Sequence, residues 1–279
     1  MRWYSTNGGS GVLLPGHEEE IMNDVILETH DLTKHYGGVF ALEAADFTLH
    51  KSEHVAIMGD NGAGKSTFVR QITGVEHRTR GNIIFDGEEV SFDGPLAARE
   101  AGIETVFQTL ALADDLDVPD NLFLGREMIK FKLGPFSILD YKGMRDATIR
   151  GLETTGVKIP NIRNTIRNMS GGQRQCVAIA RTATFHSKLT IMDEPTAALG
   201  VQETVQVENI ISTLKENGEP LSLISHNMRQ VFDLVDRIVV FRRGRIVANL
   251  NKEETDGQDV VAYITGAKTD PNYAMEGDV

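Results

Sequence analysis

Five side chains of this sequence have the types and spacing to work on a phosphate: Lys65, Gln108, Asp193, Glu194 and His226. Lys65 closes the run Gly59-Asp60-Asn61-Gly62-Ala63-Gly64-Lys65-Ser66-Thr67, which fits G-x-x-x-x-G-K-[ST]. Glycines in such a loop let successive backbone N–H groups converge on an anion, and the helix that starts behind them adds positive potential. The lysine then reaches the β- and γ-phosphates of a nucleotide, while the hydroxyl of Ser66 ligates Mg²⁺. An apolar stretch, Val55 to Met58, precedes the loop and an amphipathic pattern follows it from Lys65. That strand–turn–helix context is what the motif requires, so the loop is read as a nucleotide site.

Asp193 and Glu194 end a second apolar stretch, Leu189 to Met192. Alone, an acidic pair in this position could equally cap a helix. Beside a phosphate loop it supplies what is still missing, with Asp193 assigned to the metal and Glu194 to orienting and polarising the attacking water. Successive residues at a strand end point to opposite sides of the pleat, so the two carboxylates can divide the work. His226 follows a third such stretch, "LSLIS", and can donate to a γ-phosphate; the other seven histidines are read as ordinary surface or core residues. Gln108 follows a fourth, "ETVF", and its amide oxygen can hold Mg²⁺ or the water.

Four apolar segments thus end near residues 58, 107, 192 and 225 and deliver polar groups to one edge. The architecture that does this is a doubly wound α/β sheet with the nucleotide at the carboxyl ends of its strands. The bulk numbers agree with a globular domain: 279 residues, 41% hydrophobic and 24% charged. No run approaches the roughly 18 to 20 apolar residues that span a bilayer. The first 24 residues are Gly- and Glu-rich without period and are expected to be a disordered extension; Met22 is a second candidate start, and the lack of a signal-like apolar run implies a cytoplasmic location. The single Cys176 excludes an internal disulfide and reads as a small buried apolar residue on a helix. The net charge is −12, with residues 251–279 carrying two Lys against seven acids. An acidic chain with acidic ends is a poor nucleic-acid binder, because that affinity comes from neutralised phosphates.

One stretch remains unexplained by this single site. "NMSGGQRQC", residues 168–176, places Ser170 as the N-cap of a helix behind two glycines, a second anion cradle with no lysine of its own. These motifs, in this order, resemble the nucleotide-binding subunit of ATP-binding cassette (ABC) transporters, and the likeness covers about residues 25–250. "MSGGQ" resembles the family signature, with Met169 in place of the usual Leu. In that family two copies pair head to tail. The resemblance therefore implies that Ser170, Gly171, Gly172 and Gln173 of one copy complete the ATP site held by Gly59 to Thr67 of the other. It further implies an ABC ATPase fold: a RecA-like, mostly parallel sheet core, an antiparallel β subdomain over about 27–57 and 80–92, and a helical subdomain over about 109–174. Within that insert "ILDYKGMRDATIRGLETTG" is the clearest helix pattern. Tyr36 sits where the family stacks an aromatic ring on adenine.

One position departs from the family pattern. The segment after Glu194 usually ends in Asp, and here Gly200 stands there, which implies slower hydrolysis or looser coupling between the two sites. The stretches 101–127, "EPTAALG" and "SHNMRQVFDLVDRIVVFRRGRIV" resemble bacterial importers of simple sugars of the ribose, xylose or fructose type. No second G-x-x-x-x-G-K-[ST] occurs, so the expectation is the single-cassette form. The expectation is an ATP- and Mg²⁺-dependent hydrolase on the cytoplasmic face of the membrane. Its expected partners are a second copy, transmembrane permease subunits and, indirectly, a periplasmic-type sugar-binding protein. Another solute, an exporter, a non-transport cassette of DNA maintenance and an ATP-binding module without turnover are the alternatives. The last two are disfavoured by the absence of heptad arms or basic surface and by the presence of Glu194 and His226. The tail at 251–279 offers one short apolar helix pattern, Val260 to Ile264, and no assigned role.

Overall fold

The computed structural model describes residues 24–134, 136–185 and 187–273. The expected disordered extension therefore lies almost wholly outside the described residues, as does the question of Met22. The chain runs β1 (Val25–Tyr36), β2 (Val39–His50), β3 (His54–Gly59), α1 (Lys65–Ile72), β4 (Arg80–Phe85), β5 (Glu88–Glu89), α2 (Pro95–Ala101) and β6 (Ile103–Val106). It continues with α3 (Val118–Phe123), β7 (Ile129–Leu133), β8 (Phe136–Leu139), α4 (Tyr141–Thr154), α5 (Gly171–Thr184), β9 (Leu189–Asp193) and α6 (Val201–Glu216). It ends with β10 (Leu221–Ile224), α7 (Met228–Leu234), β11 (Arg237–Arg242), β12 (Arg245–Asn251) and α8 (Gly257–Thr265).

Six strands form the central sheet in the order β12-β11-β3-β10-β9-β6. All neighbours pair in parallel except β12, which closes one edge antiparallel to β11. The inner strands β3 and β10 are buried at every residue, because helices cover both faces, and their sequences, HVAIMG and LSLI, are apolar without alternation for that reason. A four-stranded antiparallel sheet, β2-β1-β4-β5, packs beside it. Its core side chains Leu27, Leu42, Phe47 and Phe85 share one cluster with Phe68 of α1 and Phe241 of β11. Phe68 lies between Phe47 and Phe241 at ring separations of 5.1 and 5.4 Å, which ties the phosphate-loop helix to both sheets. The antiparallel region expected over 27–57 is shorter than that, since residues 54–59 belong to the central sheet. The reason is burial: Val55, Ala56 and Ile57 are wholly enclosed between β10 and β11.

The insert between β6 and β9 has its own small core, in which Val118, Leu122, Met144, Ile166 and Val177 meet. Helices α3, α4 and α5 build it, and it also contains the hairpin β7–β8, which the helical expectation did not include. Ile138 and Leu139 belong to that hairpin, and the helix begins only at Tyr141, where Asp140 accepts from Gly143 N at 2.9 Å as its cap. Cys176 is buried on α5, and burial pushes its thiol pKa up to about 11. Val260 and Tyr263 of α8 join the cluster that holds Ile238, Val240 and Ala248, so the last helix closes the β11–β12 edge.

Candidate active site

Carboxyl ends of β3, β6, β9 and β10 open on one cleft of about 630 Å³. Its walls are the loop from Asn61 to Thr67 together with Ala41, Gln108, Asp193, Glu194 and His226. Each strand contributes one step of the wall, which is why residues as far apart in sequence as Asn61 and His226 meet here. The phosphate loop is fixed by close backbone approaches. Gly59 has φ +150°, and a Cβ there would overlap the carbonyl oxygen of Phe241 on the neighbouring strand. Gly64, at φ +105°, caps α1, and a Cβ would meet the Ala41 carbonyl oxygen at 2.8 Å. Only glycine satisfies both backbone and space at these two positions.

Lys65 is buried, and its ammonium donates to the carbonyl oxygens of Gly59 and Asp60 at 2.7 and 2.8 Å. Burial lowers its pKa, opposed by the nearby carboxylates of Glu194 and Asp193. Asp193 shows the reverse: burial and the Glu194 charge raise its pKa, and Lys65 pulls it back. The pair is a mutual compromise between desolvation and attraction, poised for a group that would satisfy both. Among the described residues no cluster of three His, Cys, Asp or Glu could hold a metal unaided. Ser66, Gln108 and Asp193 are instead oxygen donors that line or face the cleft, a set suited to a hard cation completed by phosphate oxygens.

Glu194 leaves the extended region, at φ +50°, while its N–H still donates to the Ile224 carbonyl at 2.9 Å. The pleat therefore ends at Asp193, and the turn rather than strand alternation aims Glu194. Its carboxylate lies 2.8 Å from His226 Nε2. A third residue holds this arrangement: the Gln230 amide oxygen accepts from Ser225 Oγ at 2.8 Å and from Thr196 Oγ1 at 3.2 Å, joining the turns that carry His226 and Glu194. Gln230 is fully buried, and Asn227, the cap of α7, accepts from its backbone N–H. The sequence reading passed over Gln230, although the Asn227–Gln230 cap spacing was there to be read.

Two sets of expected residues lie elsewhere in the chain. Tyr36 is not part of the cleft wall; its ring is 46% exposed, its hydroxyl donates to Glu76, and Lys34 stands 5.1 Å from its centroid. Ser170, Gly171, Gly172 and Gln173 are also outside the wall. They form a reciprocal capping box at the start of α5, in which Gln173 N–H donates to Ser170 Oγ at 3.2 Å and Ser170 N–H to Gln173 Oε1 at 3.0 Å. Ser170 Oγ accepts in this box, so its own proton remains available to a further acceptor. Gly172 is enclosed: a Cβ there would overlap the side chain of Glu203, which lies between the start of α5 and Gly200.

A family model described as ABC transporter matches residues 42–197, which span the phosphate loop, the capping box and the acidic strand end. The chain belongs to the ABC transporter family, and it is an ATP-hydrolysing cassette of that family. It is similar to the fructose import ATP-binding protein FrcA of Rhizobium meliloti, at 45% identity over 90% of this chain and 97% of that protein. It is also similar to the xylose/arabinose import ATP-binding protein XylG of Sulfolobus acidocaldarius, at 41% identity over 86% of this chain and 94% of the relative. Among solved structures, cbiO1 from Clostridium perfringens, part of the ABC transporter complex cbiONQ, superposes with a TM-score of 0.71. The identity there is 26%, covering 88% of this chain and 96% of that one. No helix of the described residues is long and apolar enough to cross a membrane.

Proposed function

We propose that this cassette powers import of a simple sugar, as one of two copies that share two ATP sites head to tail beneath a pair of transmembrane permease subunits. The observation that carries the reading is the convergence of Lys65, Gln108, Asp193, Glu194 and His226 on one cleft while the capping box at Ser170 stands outside it. A helix start suited to an anion, standing apart from the phosphate loop of its own chain, calls for a second copy. The sugar rests on the relatives, whose names are those of fructose and of xylose/arabinose import proteins and whose lengths this chain nearly fills.

In this reading ATP lies along the loop from Gly59 through Asp60, Asn61, Gly62, Ala63 and Gly64 to Thr67, with its base against Tyr36. Lys65 gives up its two carbonyl partners for the phosphates. Mg²⁺, held by Ser66, Gln108 and Asp193, supplies charge neutralisation on the phosphate oxygens. Glu194 accepts a proton from water as the water oxygen attacks the γ-phosphorus and the bond to the β–γ bridging oxygen breaks. His226, hydrogen-bonded to Glu194, fixes the carboxylate and donates toward the γ-phosphate. Ser170, Gly171, Gly172 and Gln173 of the second copy close over that phosphate, placing helix-start N–H groups on the developing charge. The cassette works at the cytoplasmic face of the membrane, and a periplasmic-type binding protein delivers sugar to the permease.

The test is uptake of labelled ribose, xylose, fructose, galactose and arabinose by cells carrying Lys65→Ala in this chain. Loss of one sugar, with the protein still present at the membrane, is the expected outcome and names the substrate. Unchanged uptake of all five removes the sugar assignment and leaves the ATPase.

A further inference from the structure

Hairpin β7–β8 exposes a cluster of large apolar side chains. Ile129, Phe131, Leu133, Phe136 and Ile138 are each between 53% and 75% exposed. The register puts four of them together, since Phe131 pairs with Ile138 and Leu133 with Phe136 on one face of a two-stranded ribbon, while a register shift sets Ile129 against Leu139 at its base. Lys132 pairs with Ser137 on the other face, and Lys130 sits at the register shift between Ile129 and Phe131. A two-stranded ribbon buries nothing by itself, and an apolar face of this kind left in water is a site for association.

The ribbon is nonetheless firmly rooted. Asp140 N–H donates to the Met128 carbonyl at 2.7 Å across its base. Arg126, two residues before, pairs with the buried carboxylate of Glu104 and lies 3.9 Å over the ring of Phe185. The apolar face is thus presented on a fixed stem.

Charge says what the face meets. Lys130, Lys132 and Lys142 make no ion pair among the described residues; of the two acids at the base of the ribbon, Asp140 caps α4 and Glu127 accepts from the Gly125 N–H. Residues 129–142 hold three lysines against one aspartate, a locally basic stretch on a chain of net charge −12. Aromatic and aliphatic side chains on one face with lysines beside them is the composition of an element that lies in a bilayer interface. The apolar groups enter the acyl boundary, and the lysine stems reach the anionic headgroups.

We propose that the β7–β8 hairpin is a lipid-binding element, which seats this cassette on the anionic surface of a bilayer directly, in addition to any contact with membrane proteins. The inference is independent of the sugar reading, because it is measured on the isolated chain without nucleotide or permease.

The experiment is co-sedimentation of the full chain with vesicles of phosphatidylcholine alone or of phosphatidylcholine and phosphatidylglycerol in equal parts. Binding is expected to the anionic vesicles, to weaken as salt rises, and to be weak on the neutral ones. Replacing Lys130 or Lys132 by Ser should lower the partition coefficient by about five-fold each. Phe131→Ser with Phe136→Ser should lower it by about ten-fold or more. These side chains are exposed, and unchanged ATP binding by the variants shows that the fold is intact. Absence of binding by the parent chain, or equal binding by the parent and the Phe variants, overturns the proposal. So does a Phe variant that loses only association with permease subunits in detergent, which would make the occupant a protein.

Discussion

Glu194 is the residue on which chemistry and structure press hardest. It occupies a left-handed backbone conformation, costly for a residue with a Cβ, and keeps it because its N–H is tied to Ile224 and its carboxylate to His226. Neither tie involves the phosphate loop, and the carboxylate acts on Lys65 there only through its charge, so its loss should change nucleotide binding little. Glu194→Gln is expected to bind ATP within about two-fold of the parent and to hydrolyse it about 100-fold or more slowly, the usual range for loss of a positioned base. Equilibrium binding of a fluorescent ATP analogue and single-turnover phosphate release separate the two. A variant that binds poorly would show that Glu194 holds the loop rather than the water. The carboxylates, lysine and histidine of this cleft were legible in the sequence because each closes a distinct apolar stretch, and the four stretches are the parallel strands. Gln230 was not legible in that way. Its role depends on two turns being brought together, which no local pattern expresses.

Among the elements, β3 carries the least noticed constraint. It begins at His54, whose Nε2 lies 2.9 Å from the Glu219 carbonyl and whose Nδ1 is buried without a partner. Burial lowers its pKa from 6.5 to about 4. Between those values the unfolded chain takes up a proton that the native chain refuses, so stability must fall as pH drops from 6.5 toward 4 and level off below. Integrated, the loss is about 3 kcal/mol. Chemical denaturation of the parent and of His54→Gln at a series of pH values reads it out. The parent should lose stability over that window, and the variant, whatever its absolute stability, should show a shallower slope there. Parallel slopes would place the acid sensitivity elsewhere. The same scale shows where reading the sequence fell short. Ile129-Lys130-Phe131-Lys132-Leu133 alternates with period two and runs into Gly134, a strand-and-turn signal in plain view. The resemblance to a helical subdomain overrode it. Periodicity also misplaced the start of α4, because Ile138 and Leu139 fit a helical stripe equally well until Asp140 caps the helix after them.

At the scale of the whole molecule the question is what the helix start at Ser170 does for a chain with one phosphate loop. Within one copy the capping box at Ser170 is not part of the cleft that Lys65 and Glu194 line. A single chain that supplied both halves of one site would have to bring α5 round to its own phosphate loop. That would break the small core of Val118, Met144 and Val177 and the packing of Gly172 against Glu203. Two copies related by a twofold axis need not break these contacts, since an isologous pairing builds both sites at once. The consequence is a mixing experiment. Lys65→Ala damages the loop half of a site and Ser170→Arg the cradle half, and each homodimer has both sites spoiled. In a one-to-one mixture half the dimers are mixed, and in those one site carries both defects while the other is intact. About a quarter of the sites in all mixed dimers and homodimers together should then be whole. ATP-driven association followed by light scattering should therefore recover on mixing two inert proteins, as should a part of the hydrolysis when permease is present. If each chain builds its own site, both sites in every dimer remain defective, and mixing restores neither.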